Sequence, residues 1–381
     1  MKAFCLNAIS KVALKTLQNP DKTVDSIEEA DSILVRSAAM HEMELGENIL
    51  AVARAGAGVN NIPLEKYAEK GVVVFNTPGA NANAVKELVL CALFLSSRDI
   101  IGGNRWVNEH QDEEGIAKTA EKAKSQFAGH EIYGKTIAVI GLGVIGVLVA
   151  NACQSLGMKV RGYDPYLTIN NAMRLNKDIA YFEKIEDVVD GVDFVSIHVP
   201  LMDSTKGMVN ANILNRLNGA TLLNFSRDTL VNEDDLLKAM EEGHVAKYVS
   251  DFANTRVVKY PHTIILPHLG ASTEEAEDNC ALMAIDELKD YLENGNITHS
   301  VNYPDVHVGK KEKWDRVCVL HRNIPGAIAK ITSTILDYNT NIISFANKSK
   351  GEYAYSVFDV EGHVDESRIA SIEGIIRVRV I

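Results

Sequence analysis

Short apolar runs, each closed by a polar residue or a glycine turn, recur through the first hundred positions: Ser32–Arg36, Leu50–Arg54 and Val72–Phe75. Their length is that of buried strands, and their alternation with helical patterns predicts a parallel sheet. A helical period covers Asn83–Arg98. The stretch Gly102–Gly129 is polar, charged and poor in β-branched residues, which predicts helix plus connection. A second series opens at Lys135, with strands over Lys135–Ile140, Lys159–Asp164, Phe194–His198, Thr221–Phe225, Tyr248–Asp251 and Thr263–Leu266. A helix over Val144–Leu156 joins its first two strands. A long amphipathic helix, Ser272–Asn294, ends the series, with Gly295 as its stop.

After a charged linker, Val306–Lys313, the pattern changes. Arg316–Leu320, a helix over Pro325–Tyr338, strands around Ile342–Lys348 and Ala354–Val360, a helix near Ser367 and a strand after Gly374 give the order βαββαβ. That order predicts a small ferredoxin-like module.

The chain has 381 residues, too many for one ordinary core, so two or three domains are expected. Hydrophobic content of 46% and charged content of 24% fit a globular protein in water. A net charge of −12 argues against general nucleic-acid binding, which needs a basic face. The five cysteines form no C-x-x-C pair, and Cys91, Cys153 and Cys318 lie in apolar stretches, so buried free thiols and a reducing compartment are expected. The longest apolar stretch, Thr136–Ala150, is too short to span a bilayer, and the start shows no secretion signal. A cytoplasmic protein is the expectation.

Gly141-Leu-Gly143-Val-Ile-Gly146 matches G-x-G-x-x-G directly after a predicted strand and at the start of a predicted helix. Asp164 ends the next strand, where an acid can accept hydrogen bonds from ribose hydroxyls and repel a 2′-phosphate. This context predicts a dinucleotide site selective for NAD, with the pyrophosphate at the helix N-terminus. Arg36 and Arg54 end apolar strands. They suit a small, doubly anionic ligand, or equally two ordinary surface ion pairs. Arg227 and His268 follow strands on the same predicted sheet edge as the glycine motif. An arginine polarising a carbonyl and a histidine protonating the resulting alkoxide are what reduction of a 2-oxo acid requires. His198, also at a strand end, is placed as lining of the cofactor pocket. No H-E-x-x-H or cysteine–histidine cluster suggests a metal.

The segments "VRSA" (35–38), "ARAGAGVNN" (53–61), "NTPGANANAVKEL" (76–88), "GKTIAVIGLGVIG" (134–146), "NFSR" (224–227) and "PHLGAST" (267–273) resemble the D-2-hydroxyacid dehydrogenases, and the resemblance extends over the whole chain. It implies a discontinuous substrate domain (1–98 and 289–306), a Rossmann NAD domain (99–288) and an ACT-like regulatory domain (314–381). It implies Arg36 and Arg54, with Ser37 and Gly56, on a substrate phosphate. Arg227 would meet the substrate carboxylate and carbonyl, and His268 would serve as acid and base. Asp251 would lie near the nicotinamide amide. Val144, Ile145, Pro165, Val199, Pro200, Phe225, Ser226 and Gly270 would complete the cofactor contacts. The implied reaction interconverts 3-phospho-D-glycerate and 3-phosphohydroxypyruvate, the first step of L-serine biosynthesis, in a homodimer or homotetramer with L-serine as a possible effector.

Two positions depart from the family pattern. Arg256 stands where a glutamate would orient the histidine, and Asp228 stands where glycine would follow the arginine. Arg256 would oppose an imidazolium and Asp228 could pair with Arg227; either an acid from elsewhere, such as Glu274 or Glu275, serves His268, or the histidine works unaided at a reduced rate. Restoring the acid, Arg256→Glu, is expected to raise turnover. An NAD(H)-sensing protein on the same scaffold, or a dehydrogenase for another 2-hydroxy acid, are the alternatives.

Overall fold

The computed structural model describes residues 1–18, 20–336 and 340–381. Three sheets organise them. The first contains β1 (Lys2–Cys5), β2 (Lys22–Val24), β3 (Ser32–Val35), β4 (Ala51–Arg54) and β5 (Val73–Asn76), all parallel, in the order β2-β1-β3-β4-β5. The second contains β6 (Thr136–Ile140), β7 (Lys159–Tyr163), β8 (Ala180–Phe182), β9 (Phe194–Ile197), β10 (Ala220–Asn224), β11 (Val245–Ser250) and β12 (Thr263–Ile265). It too is parallel, in the order β12-β11-β10-β9-β6-β7-β8. From β6 the chain winds outward through β7 and β8, then returns to β9 and winds the other way. The reversal between β6 and β9 is where doubly wound sheets bind ligands. The third sheet is antiparallel: β13 (Asp315–Arg322), β14 (Asn341–Lys350), β15 (Tyr353–Glu361) and β16 (Ile375–Val380), in the order β14-β15-β13-β16. With helices Ala327–Leu336 and Glu366–Ala370, this is the ferredoxin-like arrangement. The expected end of the first of these helices, Tyr338, lies outside the described residues.

The chain divides into two compact units, residues 1–81 with 274–381, and residues 82–273. In the first unit the antiparallel module shares a core with the parallel sheet. Leu34 and Phe75 from that sheet, Leu288 and Tyr291 from the helix Glu274–Asn294, and Leu320 and Tyr355 from the module belong to one buried cluster. The segment after that helix is not a loose linker. Val306 pairs with Ile297, Val308 N–H donates to Asn296 Oδ1 at 2.8 Å and Lys311 N–H donates to Asn294 Oδ1 at 2.9 Å.

In the second unit the helix Ala82–Ser97 packs on the helix Val144–Ser155. It turns Val85, Val89, Ala92 and Leu93 inward, which leaves Cys91 exposed, contrary to the expectation of a buried thiol. An apolar neighbourhood in sequence does not fix which side of a helix a residue takes. Cys153 and Cys318 are buried. No helix among the described residues is long and apolar enough to cross a membrane.

Candidate functional site

The glycine loop fits a dinucleotide by shape. Gly141 follows β6 at φ +91°, and a Cβ there would stand 2.5 Å from the His198 carbonyl oxygen. A Cβ on Gly146 would stand 1.8 Å from the Gly141 oxygen, so the helix can start this close to the strand only without one. Space in front of Gly143 is open, and this residue begins the helix Val144–Ser155 with no side-chain cap, leaving the first N–H groups for an anion. Asp164 is held from two directions: Leu142 N–H donates to Oδ2 and Tyr166 N–H to Oδ1, each at 2.8 Å. Its carboxylate is thus aimed before any ligand arrives, with lone pairs left for hydroxyl donors. Pro165 lies between these anchors.

His198 ends β9 with Nε2 2.8 Å from Ser196 Oγ and Nδ1 buried without a partner. Burial pulls its pKa down to about 3, so the ring is neutral and structural. Val199 and Pro200 continue the same strand end, and the Val199 side chain would be 2.8 Å from a Cβ on Gly141.

Arg227, Asp251 and His268 come together at the ends of β10, β11 and β12. Asn224 Nδ2 donates to the Arg227 carbonyl at 2.8 Å and Arg227 Nη1 donates to Ser226 O at 2.6 Å, while Ser226 Oγ donates to Ile197 O at 2.8 Å. Phe225, between them, is buried. His268 N–H donates to the Asp251 carbonyl at 2.8 Å, and Gly270 N–H donates to Asp251 Oδ2 at 2.8 Å, so the 268–270 turn wraps the Asp251 side chain. Asp251 is 1% exposed, with Oδ1 buried and lacking a donor. Burial raises its pKa, and the Gly270 amide and the charges of His268 and Arg227 pull it back. The imidazole of His268 is exposed and rests 4.9 Å, centroid to centroid, from the Phe252 ring. Both Asp251 Oδ1 and the open glycine loop therefore suit an NAD ligand: one offers an acceptor for an amide, the other a cradle for phosphates.

The two departures in sequence turn out differently from their simplest reading. Arg256 is turned toward Asp234, which its guanidinium hydrogen-bonds, with Glu233 3.4 Å away. Its charge is spent on those acids, and a glutamate at this position would face two carboxylates. Asp228 does not pair with Arg227 among the described ion pairs. Its Oδ1 accepts Thr229 N–H at 2.8 Å at the start of a short 3-10 turn, so no left-handed backbone is needed there.

In the first unit, Arg54 Nε donates to the Arg36 carbonyl at 3.0 Å, which fixes the two strand ends together. Gly56, at φ +150°, lies under the Arg54 guanidinium: a Cβ would be 2.5 Å from Nη1. Gly56 N–H donates to Thr77 Oγ1 at 2.8 Å, and Asn7 bridges Arg36 N–H (2.9 Å) and Ser37 Oγ (3.3 Å). Arg36 Nη2 lies 2.5 Å from Glu277 Oε1, both side chains 40% exposed. Asn7, Thr77 and Glu277 were not anticipated: Thr77 sits inside a noted segment, while Asn7 and Glu277 reach the strand ends from distant sequence. Among the described residues, no group of three or more His, Cys, Asp or Glu is arranged to hold a metal ion.

Comparisons with known proteins agree with this geometry. Residues 90–270 match the family model described as "D-isomer specific 2-hydroxyacid dehydrogenase, NAD binding domain". D-3-phosphoglycerate dehydrogenase of Haemophilus influenzae is 30% identical over 380 residues, covering 95% of this chain and 89% of that protein. The Bacillus subtilis enzyme of that name is 30% identical over 319 residues, and there the match spans 58% of the longer relative. Among solved structures, NAD+-bound 3-phosphoglycerate dehydrogenase of Entamoeba histolytica superposes with a TM-score of 0.62 at 27% identity, over 79% of this chain and 98% of that one. An NADPH-dependent glyoxylate/hydroxypyruvate reductase from Sinorhizobium meliloti shares the fold, with a TM-score of 0.65 at 20% identity over 79% of this chain and 97% of that one. The chain belongs to the NAD-dependent D-2-hydroxyacid dehydrogenase family.

Proposed function

We propose that the protein interconverts 3-phospho-D-glycerate and 3-phosphohydroxypyruvate with NAD(H), as the names of its relatives suggest. The observation that carries the mechanism is the grouping of Arg227, Asp251 and His268 at three adjacent strand ends of one sheet. The nicotinamide ring, when bound, supplies or accepts the hydride at the substrate C2. Arg227 binds the substrate carboxylate and polarises the 2-oxo group. His268 gives its proton to the oxygen as the carbonyl is reduced and takes it back in oxidation. The buried Asp251 carboxylate offers Oδ1 to the nicotinamide amide. Asp164, preset by Leu142 and Tyr166, selects NAD over NADP.

Arg36 and Arg54 hold the substrate phosphate, helped by Ser37 Oγ and Gly56 N–H. Glu277 then has to yield Arg36 to the substrate. In this reading residues 1–98 with 289–306 recognise substrate, 99–288 bind the dinucleotide, and 314–381 regulate, with L-serine as effector of a cytoplasmic homodimer or homotetramer.

The test is oxidation of NADH by purified protein with 3-phosphohydroxypyruvate, followed by absorbance from mildly acidic to alkaline pH. Turnover that saturates with the phosphorylated substrate, and is at least about tenfold less efficient with its dephosphorylated analogue, is expected. A second reading, an NAD(H) sensor, is favoured by one observation, the commitment of Arg256 to Asp234 and Glu233 where the family keeps the histidine's acid. It predicts NADH binding without turnover of any 2-oxo acid.

A further inference from the structure

A cavity of about 410 Å³ lies in the first unit, along the C-terminal half of the helix Glu274–Asn294, away from Arg36 and Arg54 in the sequence and lined by other residues. Met283 forms an apolar wall. Asp286, Glu287 and Asp290 present carboxylates, and Thr298 and His299 close the far side. No lysine or arginine lines it.

Acids on one helix commonly make a solvated face, but Glu287 is not solvated. It is 8% exposed; Oε1 lies 2.8 Å from His299 Nδ1, and Oε2 is buried with no hydrogen-bond partner in the protein. Nearby cations do not complete it. Lys289 is paired with Asp21 at 2.9 Å, and Lys350 donates to the carbonyls of Ser300 and Val301 at 3.0 and 3.1 Å. His307 stands 3.9 Å from Asp290, whose Oδ1 already accepts from Asn294 and Asn296 at 2.8 and 2.9 Å. Glu287 lines this cavity, bordered by Asp286 and backed by Asp305, and a carboxylate oxygen without a donor is half of a charge-assisted contact.

We propose that this cavity binds a small organic cation with N–H donors, of the guanidinium or primary-ammonium class, held by Glu287 and Asp286 with its apolar part against Met283. A metal ion is disfavoured because the acids here do not form a metal-holding group. The occupant's effect would reach the substrate lobe by a short route: the His299 carbonyl accepts Asn76 N–H at 3.4 Å at the end of β5, and the next residue, Thr77, holds Gly56.

Linkage gives the site a signature. Burial, with Asp305 and Asp286 adding to it, pushes Glu287 up to about 9, so without a ligand it keeps its proton at neutral pH. A bound cation favours the carboxylate, so binding releases a proton and tightens as pH rises toward that value. Asp286, Asp290, Asp305, His299, His307 and Lys350 are the other titratable groups around it.

The probe is methylguanidinium, titrated calorimetrically into the full-length protein at about pH 7 and about pH 8.5, in two buffers of different ionisation enthalpy. Saturable binding that is several-fold tighter at the higher pH, with proton release, is expected. Glu287→Gln, which keeps the shape of the protonated acid, should weaken it at least about tenfold, and Asp286→Asn should weaken it several-fold if the first variant melts early. Absence of saturable binding, equal affinity in both folded variants, equal affinity for tetramethylammonium, or stoichiometric displacement by Mg²⁺ would each overturn the assignment. None of these readouts depends on the redox reaction.

Discussion

His268 adopts φ +43°, one of three non-glycine residues with positive φ among those described, all of them histidines, a residue type over-represented in this otherwise uncommon region. The neighbours hold it there: its N–H is fixed on the Asp251 carbonyl, and two residues later Gly270 is fixed on the Asp251 carboxylate. The turn that presents the imidazole is therefore built around an acid. Asp251→Asn keeps the side-chain shape and removes the charge. The proposed contact of Asp251 Oδ1 with the nicotinamide amide loses its charge, so NADH should bind several-fold more weakly, read by fluorescence titration. Unchanged NADH affinity would show that Asp251 does not meet the nicotinamide. The strand-end positions of Arg227 and His268 were legible from the apolar runs that lead into them. That Asp251 anchors the 268–270 turn was not, because the link between β11 and β12 is made by register across a sheet and is invisible in the local pattern.

At the scale of elements, the clear predictions were strands buried on both faces. Thr136–Ile140 and Ala220–Asn224 are continuous apolar or small-residue runs that could hardly be anything else. β1, β2 and β8 went unseen: each has only three or four residues, and β2 and β8 are in addition largely exposed edge strands. The edge of the first sheet beyond β5 shows a related case. No strand covers it, yet its backbone is satisfied: Val74 N–H donates to Asn302 Oδ1 at 2.9 Å, Asn302 Nδ2 donates to Val72 O at 2.9 Å, and Val301 N–H donates to Val74 O at 2.9 Å. A side chain thus substitutes for a strand, with Asn302 only 8% exposed. Asn302→Leu would leave the Val74 and Val72 groups buried without partners, at roughly 1–3 kcal/mol each. We expect the melting transition of the first unit to fall by several degrees, read by calorimetry; an unchanged transition would show that water reaches β5 as readily as Asn302 does.

At the scale of the whole molecule, the sequence pattern suggested a small ferredoxin-like module after a charged linker, and the two are joined to the rest of the first unit by specific contacts. Arg316 is 2% exposed; its guanidinium grips Asp359 at 2.6 and 3.1 Å and donates to the carbonyls of Asn294 (2.6 Å) and Gly309 (2.9 Å), so module, helix end and linker share one cation. Tyr355 Oη donates to the Gly295 carbonyl at 2.6 Å, and Arg377 Nη1 donates to the Ile49 carbonyl at 2.7 Å. Such contacts arise between segments distant in sequence, which is why the local pattern of the linker does not show them. The module also covers Leu288 and Tyr291, both part of the core that reaches Phe75. Ending the chain at residue 313 would bare that apolar face and leave the Asn294 and Gly309 carbonyls without the Arg316 donor. Large exposed apolar patches drive association. The truncated chain is therefore expected to aggregate or to melt well below the full-length protein, as followed by light scattering and calorimetry. A truncated chain that stays monodisperse and melts at the parent temperature would show that the parallel sheet of the first unit and its helices close their own core, and that the module is a tethered attachment.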